Sequence, residues 1–266
     1  MKEALSCLAP SLGQMVPWQA QHRLVEERGV LFAVGAKRFP TGYANTALPL
    51  LPDIGGAEVL ERVDGFYRRL RRPYILWVAQ GMHDELEQAA RSAGMTMVSE
   101  MPAMLVHERL PERGDPAGLE LAEVADEKAL ADFVEVSGIS YEETGLPPHV
   151  MHSYFARPEK ILSAGHRLVL ARCQGQPVAA ALSVTAGEGA ARRGGVCWVG
   201  TKPGRRGLGA GEACTRAATN AAFDEGASVV ALEASEMGEP IYRRMGYVEV
   251  GRYRWYLGGV IEESDL

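Results

Sequence analysis

The segment Trp198-Val199-Gly200-Thr201-Lys202-Pro203-Gly204-Arg205-Arg206-Gly207-Leu208-Gly209-Ala210-Gly211 joins an apolar strand to an alanine-rich helix through a basic, glycine-rich turn. Gly207, Gly209 and Gly211 at alternate positions remove side chains from one turn, so backbone N–H groups can close on a ligand. Those N–H groups head a helix whose dipole favours negative charge. A phosphate or pyrophosphate suits such a place, and Arg205 and Arg206 add forked cations that pair with phosphate oxygens.

Spacing narrows the ligand. A dinucleotide fingerprint needs G-x-G-x-x-G in the first turn of a βαβ unit, and a Walker loop needs Gly-Lys-Ser or Gly-Lys-Thr. Here the glycines run G-x-G-x-G late in the chain, and neither Walker triplet occurs. Arg206-x-x-Gly209-x-Gly211, preceded by Pro203, resembles the R/Q-x-x-G-x-G/A acyl-CoA signature of the GCN5-related N-acetyltransferase (GNAT) superfamily. The bland reading of the same residues is a tight turn before a helix.

Downstream of the loop, the order of elements resembles that family's second half. A helix spans Leu208 to Glu225, with Ala210, Cys214, Ala217, Ala218 and Ala221 as a small-residue stripe for close packing on a sheet, and Gly226 ends it. Val229–Ala234 reads as a buried strand. Pro240 opens a short helix closed by Gly246, and Tyr247–Val250 with Gly251–Leu257 reads as a hairpin. Upstream, Leu119–Val124 is a strand and Asp126 caps a helix over Glu127–Gly138. Pro147–Ala156 is helical, His166–Cys173 and Pro177–Val184 form a hairpin, and Gly195–Thr201 leads into the glycine loop. The resemblance covers residues 117 to 260. It implies the acyl-CoA N-acyltransferase fold, an α/β (α+β) architecture with a mixed, mostly antiparallel central sheet flanked by helices.

Residues 1–112 hold a strand at Val30–Val34, turns through Pro40–Asn45 and an extended segment towards Pro52. Next come a helix over Gly56–Arg71, a strand at Tyr74–Val78, a helix over Asp84–Ala93 and two strands, Met95–Val98 and Ala103–His107. Ile75-Leu76-Trp77-Val78, helix, Ala93-Gly94-Met95 parallels Val230-Ala231-Leu232-Glu233, helix, Met245-Gly246-Tyr247. The long helix of this first copy opens at Pro52-Asp53-Ile54-Gly55-Gly56, which lacks both the arginine and the glycine repeat. It looks like a smaller, degenerate GNAT-like unit that has lost its pyrophosphate loop, as in tandem members of the family. The competing reading is an unrelated α/β domain. Glu108–Gly118 reads as a linker, dividing the chain into 1–112 and 117–266.

Composition sets outer limits. The chain has 266 residues, 47% of them hydrophobic, enough for one large or two ordinary domains. It has no apolar run of membrane length, and Glu3 and Pro10 interrupt what a signal peptide would need. The cysteines at 7, 173, 197 and 214 include no CxxC pair, so neither zinc nor a disulfide framework is expected, and no metal site is. A cytoplasmic protein, with no membrane partner, is the simplest account. The net charge of −6 argues against non-specific nucleic-acid binding. Residues 1–112 carry −1 and residues 113–266 carry −5, a weak preference for a cationic acceptor beside a basic loop.

The resemblance implies acetyl-CoA as acyl donor and an amine as acceptor, with Tyr242 as the acid that reprotonates the departing thiolate. A core tyrosine is the plainer reading of the same residue. Glu233 is the candidate base, with a solvated strand-end carboxylate as its alternative, and Glu142 and Glu143 compete for the role. The pantetheine strand is Trp198, Val199, Gly200 and Thr201, although Trp198 suits the core equally. The cofactor loop is Arg205, Arg206, Gly207, Leu208, Gly209, Ala210 and Gly211. Ser235 stands where many members have Asn, and it can still cap or hydrogen-bond. The contrasting function is a non-catalytic acyl-CoA-binding or interaction protein on the same fold. A homodimer is compatible with either.

Overall fold

The computed structural model describes every residue except Asp53, Asp115, Ala164 and Leu266. Asp53 of the expected opening of the first long helix and Asp115 of the expected linker therefore lie outside the described residues. The elements in chain order are α1 (Lys2–Met15), β1 (Arg23–Glu27), β2 (Val30–Val34), β3 (Thr46–Pro49), α2 (Gly56–Leu70), β4 (Tyr74–Ala79), α3 (Asp84–Ser92) and β5 (Thr96–Val106). After them come β6 (Leu119–Glu123), α4 (Glu127–Glu142), α5 (Pro148–Tyr154), α6 (Pro158–Ile161), β7 (His166–Cys173), β8 (Gln176–Ala186) and β9 (Arg193–Thr201). The chain closes with α7 (Ala210–Asp224), β10 (Val230–Glu233), α8 (Glu239–Met245) and β11 (Val248–Gly258).

All 11 strands form one sheet, in the order β1-β2-β3-β4-β11-β5-β10-β9-β8-β7-β6. Among the described residues only β3–β4 and β9–β10 are parallel, so the sheet is mixed and mostly antiparallel, as the sequence implies. One face of the β6–β11 side packs on α7, whose small residues Ala210, Cys214, Ala218 and Ala222 let the helix lie close. Phe133 of α4 and Met151 of α5 pack on the other face together with Trp198. Leu5, Leu8 and Leu12 of α1 cover the middle of the sheet, and Val59, Val63 and Leu86 of α2 and α3 cover the β2–β4 end. Helix α1 escapes a local reading because Pro10 lies inside it.

Two expected strand pairs are each a single strand. In place of a hairpin at 247–257, β11 runs through, and Glu249 and Gly251 pair with the adjacent residues Met104 and Ala103 of β5. Val250 is the extra residue of a bulge, and Gly251 at φ 143° supplies a bend without reversing the chain. Likewise β5 continues from Thr96 to Val106 through Pro102. Ala234 N–H donates to the Pro102 carbonyl, so the missing proline N–H falls on the edge where β10 has just ended.

Candidate active site

Strands β9 and β10 pair only at Val230↔Gly194 and Ala231↔Gly195. Beyond that point they diverge, while β5, on the other edge of β10, pairs with it throughout, with Glu233 opposite Ala103. The free edge of β9 after Gly195 leaves backbone groups uncommitted to a neighbouring strand. On the other edge, the register with β8 slips between Gly200 and Cys197. Trp198 takes φ 53° at this bulge, so Cys197 and Trp198 both face α4 and α5 while Val199 faces α7.

The gap opens into a cleft of about 510 Å³. Val199, Gly200, Thr201, Arg205, Arg206, Gly207, Gly209, Ala210, Gly211, Ser235 and Tyr242 line it, which gathers most of the residues singled out from sequence. Gly207 and Gly209 have φ of 80° and 78°, which an L side chain rarely adopts. A Cβ on Gly211 would lie 2.7 Å from Thr201 Oγ1, so glycine lets α7 start against β9. The first helical bond of α7 runs from Ala213 N–H to Gly209 O. The N–H groups of residues 209–212 thus lie ahead of the intrahelical ladder, at the positive end of the helix dipole. With Arg205, Arg206 and Arg244 at the same cleft, these groups fit a pyrophosphate.

Three expected residues stand apart from the lining: Trp198, Leu208 and Glu233, the last of which lines a small cavity on the α1 side. The Trp198 ring is core, 5.1 Å from both Tyr141 and Tyr154, and Leu208 is exposed. Ser235 accepts the Gly238 N–H at 3.2 Å through its hydroxyl, the capping role expected of it. Glu143 pairs with Arg206 at 2.5 Å, at the mouth of the cleft. Glu142 lines a separate groove between α4 and α5, so it is not placed at the divergence of the strands.

Tyr242 is buried in the cleft wall, and burial pushes its phenol up to about 12 against an opposing hydrogen bond with Thr215. It therefore stays protonated at neutral pH. Glu233 is half-buried by exposed area and enclosed by Tyr43, Tyr141, Cys197 and Tyr253. Burial pushes its carboxyl up to about 8. Tyr242 packs with the α7-side core and Glu233 faces the α1 side, with the divergence of the strands between them. Tyr141 interacts electrostatically with both and donates to Val199 O at 3.3 Å.

Tyr43, from the segment between β2 and β3, has no local sequence signal of its role. Asn45 amide donates to the carbonyls of Lys37, Arg38 and Phe39, and Arg72 donates to those of Gly35 and Lys37. This pins the segment so that the Tyr43 ring packs at a tilt 5.4 Å from that of Trp198 and its hydroxyl donates to Cys197 Sγ. Thr215, also in the wall, stands at helical spacing from Gly211, a signal that could have found it, and Ile241 is the chain neighbour of Tyr242.

Residues 125–250 match the family model described as an acetyltransferase (GNAT) domain. The chain carries a GNAT-superfamily domain. No curated protein matches the sequence. Among solved structures, it is similar to a GCN5-related N-acetyltransferase from Kribbella flavida, 24% identical, with a TM-score of 0.73 over 97% of this chain and 96% of that one. A GCN5-related N-acetyltransferase from Sphaerobacter thermophilus aligns at 13% identity and a TM-score of 0.64, over 97% and 95% of the two chains. A functionally unknown conserved protein from Staphylococcus epidermidis aligns at 13% and 0.63, over 91% and 95%. These likenesses bear on the fold, which is the GNAT fold along nearly the whole chain.

Proposed function

We propose that this chain is a cytoplasmic N-acetyltransferase that moves an acetyl group from acetyl-CoA to a primary amine of a small molecule or a peptide. The carrying observation is the divergence of β9 from β10, with the glycine cradle and Tyr242 in the cleft on its α7 side and Glu233 at the small cavity on its α1 side. The backbone N–H groups at the start of α7, with Arg205 and Arg206, hold the pyrophosphate, and the free edge of β9 runs beside the pantetheine arm. Acetyl-CoA, when bound, supplies the thioester whose carbonyl carbon forms the new C–N bond and whose C–S bond breaks. Glu233 takes the proton that the amine must lose before or during attack. Tyr242 directs its hydroxyl hydrogen at the departing sulfur and stabilises the thiolate.

Residues 1–112 fit a second, degenerate unit of the same kind. Helix α2 follows β3 as α7 follows β9, and β4, α3 and β5 repeat the order of β10, α8 and β11. At the start of α2, a Cβ on Gly56 would strike the Glu85 carbonyl, so α3 occupies the space a ligand would need. One cofactor per chain is the consequence.

Calorimetric titration with acetyl-CoA tests the reading. The parent should bind one equivalent, an Arg206→Ala/Gly209→Ala variant should lose binding, and Tyr242→Phe should bind normally while turnover falls by about a hundredfold or more. A folded parent that binds no acetyl-CoA would end the proposal. Normal turnover in Tyr242→Phe would remove the tyrosine from the mechanism.

A further inference from the structure

Behind Glu233, on the α1 side, lies a cavity of about 20 Å³ lined by Ser11, Tyr43, Cys197, Glu233 and Tyr253 among others. A single water needs about 10–15 Å³ and two to four polar partners. The polar groups of this wall are unevenly committed. Ser11 Oγ donates to Cys7 O at 2.8 Å and keeps its lone pairs, and Tyr43 donates to Cys197 Sγ. The Tyr253 hydroxyl, on a residue only 1% exposed, has no hydrogen-bond partner among the described residues. A buried orphan hydroxyl is costly, whereas one bridging water would satisfy it. The groups facing Glu233 are Tyr43 from the β2–β3 segment, Tyr141 of α4, Cys197 of β9 and Tyr253 of β11, and Cys7 of α1 faces Tyr253 in turn. None carries a positive charge, so an ionised Glu233 has only donors of this kind to hold it.

We propose that Tyr253 is a positioning residue whose hydroxyl anchors one buried water, and that this water donates to the Glu233 carboxylate and to Ser11 Oγ. The water accepts from Tyr253 and donates twice, so all three hydrogens of the bridge are used. The bridge favours the carboxylate over the acid, which is the form a base needs. This rests on the reading of Glu233 as base, but the site itself does not depend on turnover.

Two readouts separate the proposals. In protein carrying ¹³C at glutamate side-chain carboxyls, the Glu233 signal is assigned by its disappearance in Glu233→Gln and followed against pH. Tyr253→Phe, which removes the hydroxyl alone, should move the Glu233 midpoint upward by about one pH unit. The acidic limb of kcat/KM should move with it, leaving the high-pH plateau and acetyl-CoA affinity unchanged. Ser11→Ala should shift the midpoint in the same direction by less, and it serves if Tyr253→Phe does not fold. An unmoved carboxyl midpoint in a folded variant overturns the water bridge. A shifted midpoint in a protein without transferase activity would keep the bridge and discard the base.

Discussion

Glu233 has an uncommon setting for a carboxyl: enclosed by phenols and a thiol, with burial raising it to about 8 and no guanidinium to lower it. A raised carboxyl is mostly protonated at neutral pH and becomes a competent base only as pH rises through its own value. The kcat/KM of the proposed reaction should therefore climb with pH, reach half its plateau near 8 and flatten above. A free amine also loses a proton on the alkaline side, so Glu233→Gln is the decisive comparison. It should erase the limb near 8 and lower the plateau by about a hundredfold or more. An unchanged limb in Glu233→Gln would assign it to the amine. At the mouth of the cleft, the ion pair of Arg206 with Glu143 competes with any phosphate for the same guanidinium. Both side chains are partly exposed, so the pair is worth at most about 1 kcal/mol. Glu143→Gln should tighten acetyl-CoA binding up to about fivefold in low salt, and the gain should vanish in high salt.

At the scale of elements, α7 and β9 make the cofactor site together, and their closeness depends on glycine. Gly211→Val would add atoms where even a Cβ lies 2.7 Å from Thr201 Oγ1. The helix start would be pushed from the strand at a cost of about 1–3 kcal/mol, lowering the melting temperature and weakening acetyl-CoA affinity about tenfold or more. Calorimetry beside a thermal melt measures both, and unchanged affinity would show that the cradle tolerates a wider gap. This loop was legible in the sequence because its requirements are local: positive φ, missing side chains and a helix start within a few residues. Hydrophobic periodicity gave α2, α4, α7 and most strands for the same reason. The expected turns within β5 and β11 failed because Pro102 and Gly251 mark a ladder's end and a bulge in this context. The neighbouring strands decide that, and their partners lie more than a hundred residues away. Tyr43 and Tyr253 were invisible as site residues on the same ground. Each is an ordinary core aromatic by pattern and reaches Glu233 only through the long-range order of the sheet.

For the molecule as a whole, that order is its most consequential property. Strand β5, from the first half of the sequence, lies between β10 and β11, while β11 lies between β4 and β5. Each half therefore contributes its final strand to the side of the sheet the other half builds. Glu233 owes its position to this exchange, because β5 pairs with β10 along its whole length and still holds it after β9 leaves, and Tyr253 arrives on β11. A fragment of residues 113–266 would lose β5 from between β10 and β11, and it would lose α1 and the segment that places Tyr43. Its β10 edge and both edges of β11 would be unpaired, a template for aggregation. Expressed alone, this fragment should be insoluble or associate through that edge in size-exclusion chromatography. Co-expression with residues 1–112 should restore a soluble one-to-one complex, since the ladder and the α1 core need no covalent link. That complex should bind acetyl-CoA as the intact chain does. A soluble, monomeric 113–266 fragment with full affinity and turnover would instead make the first half an appendage, and Glu233 would then function without the strands and phenols that enclose it here.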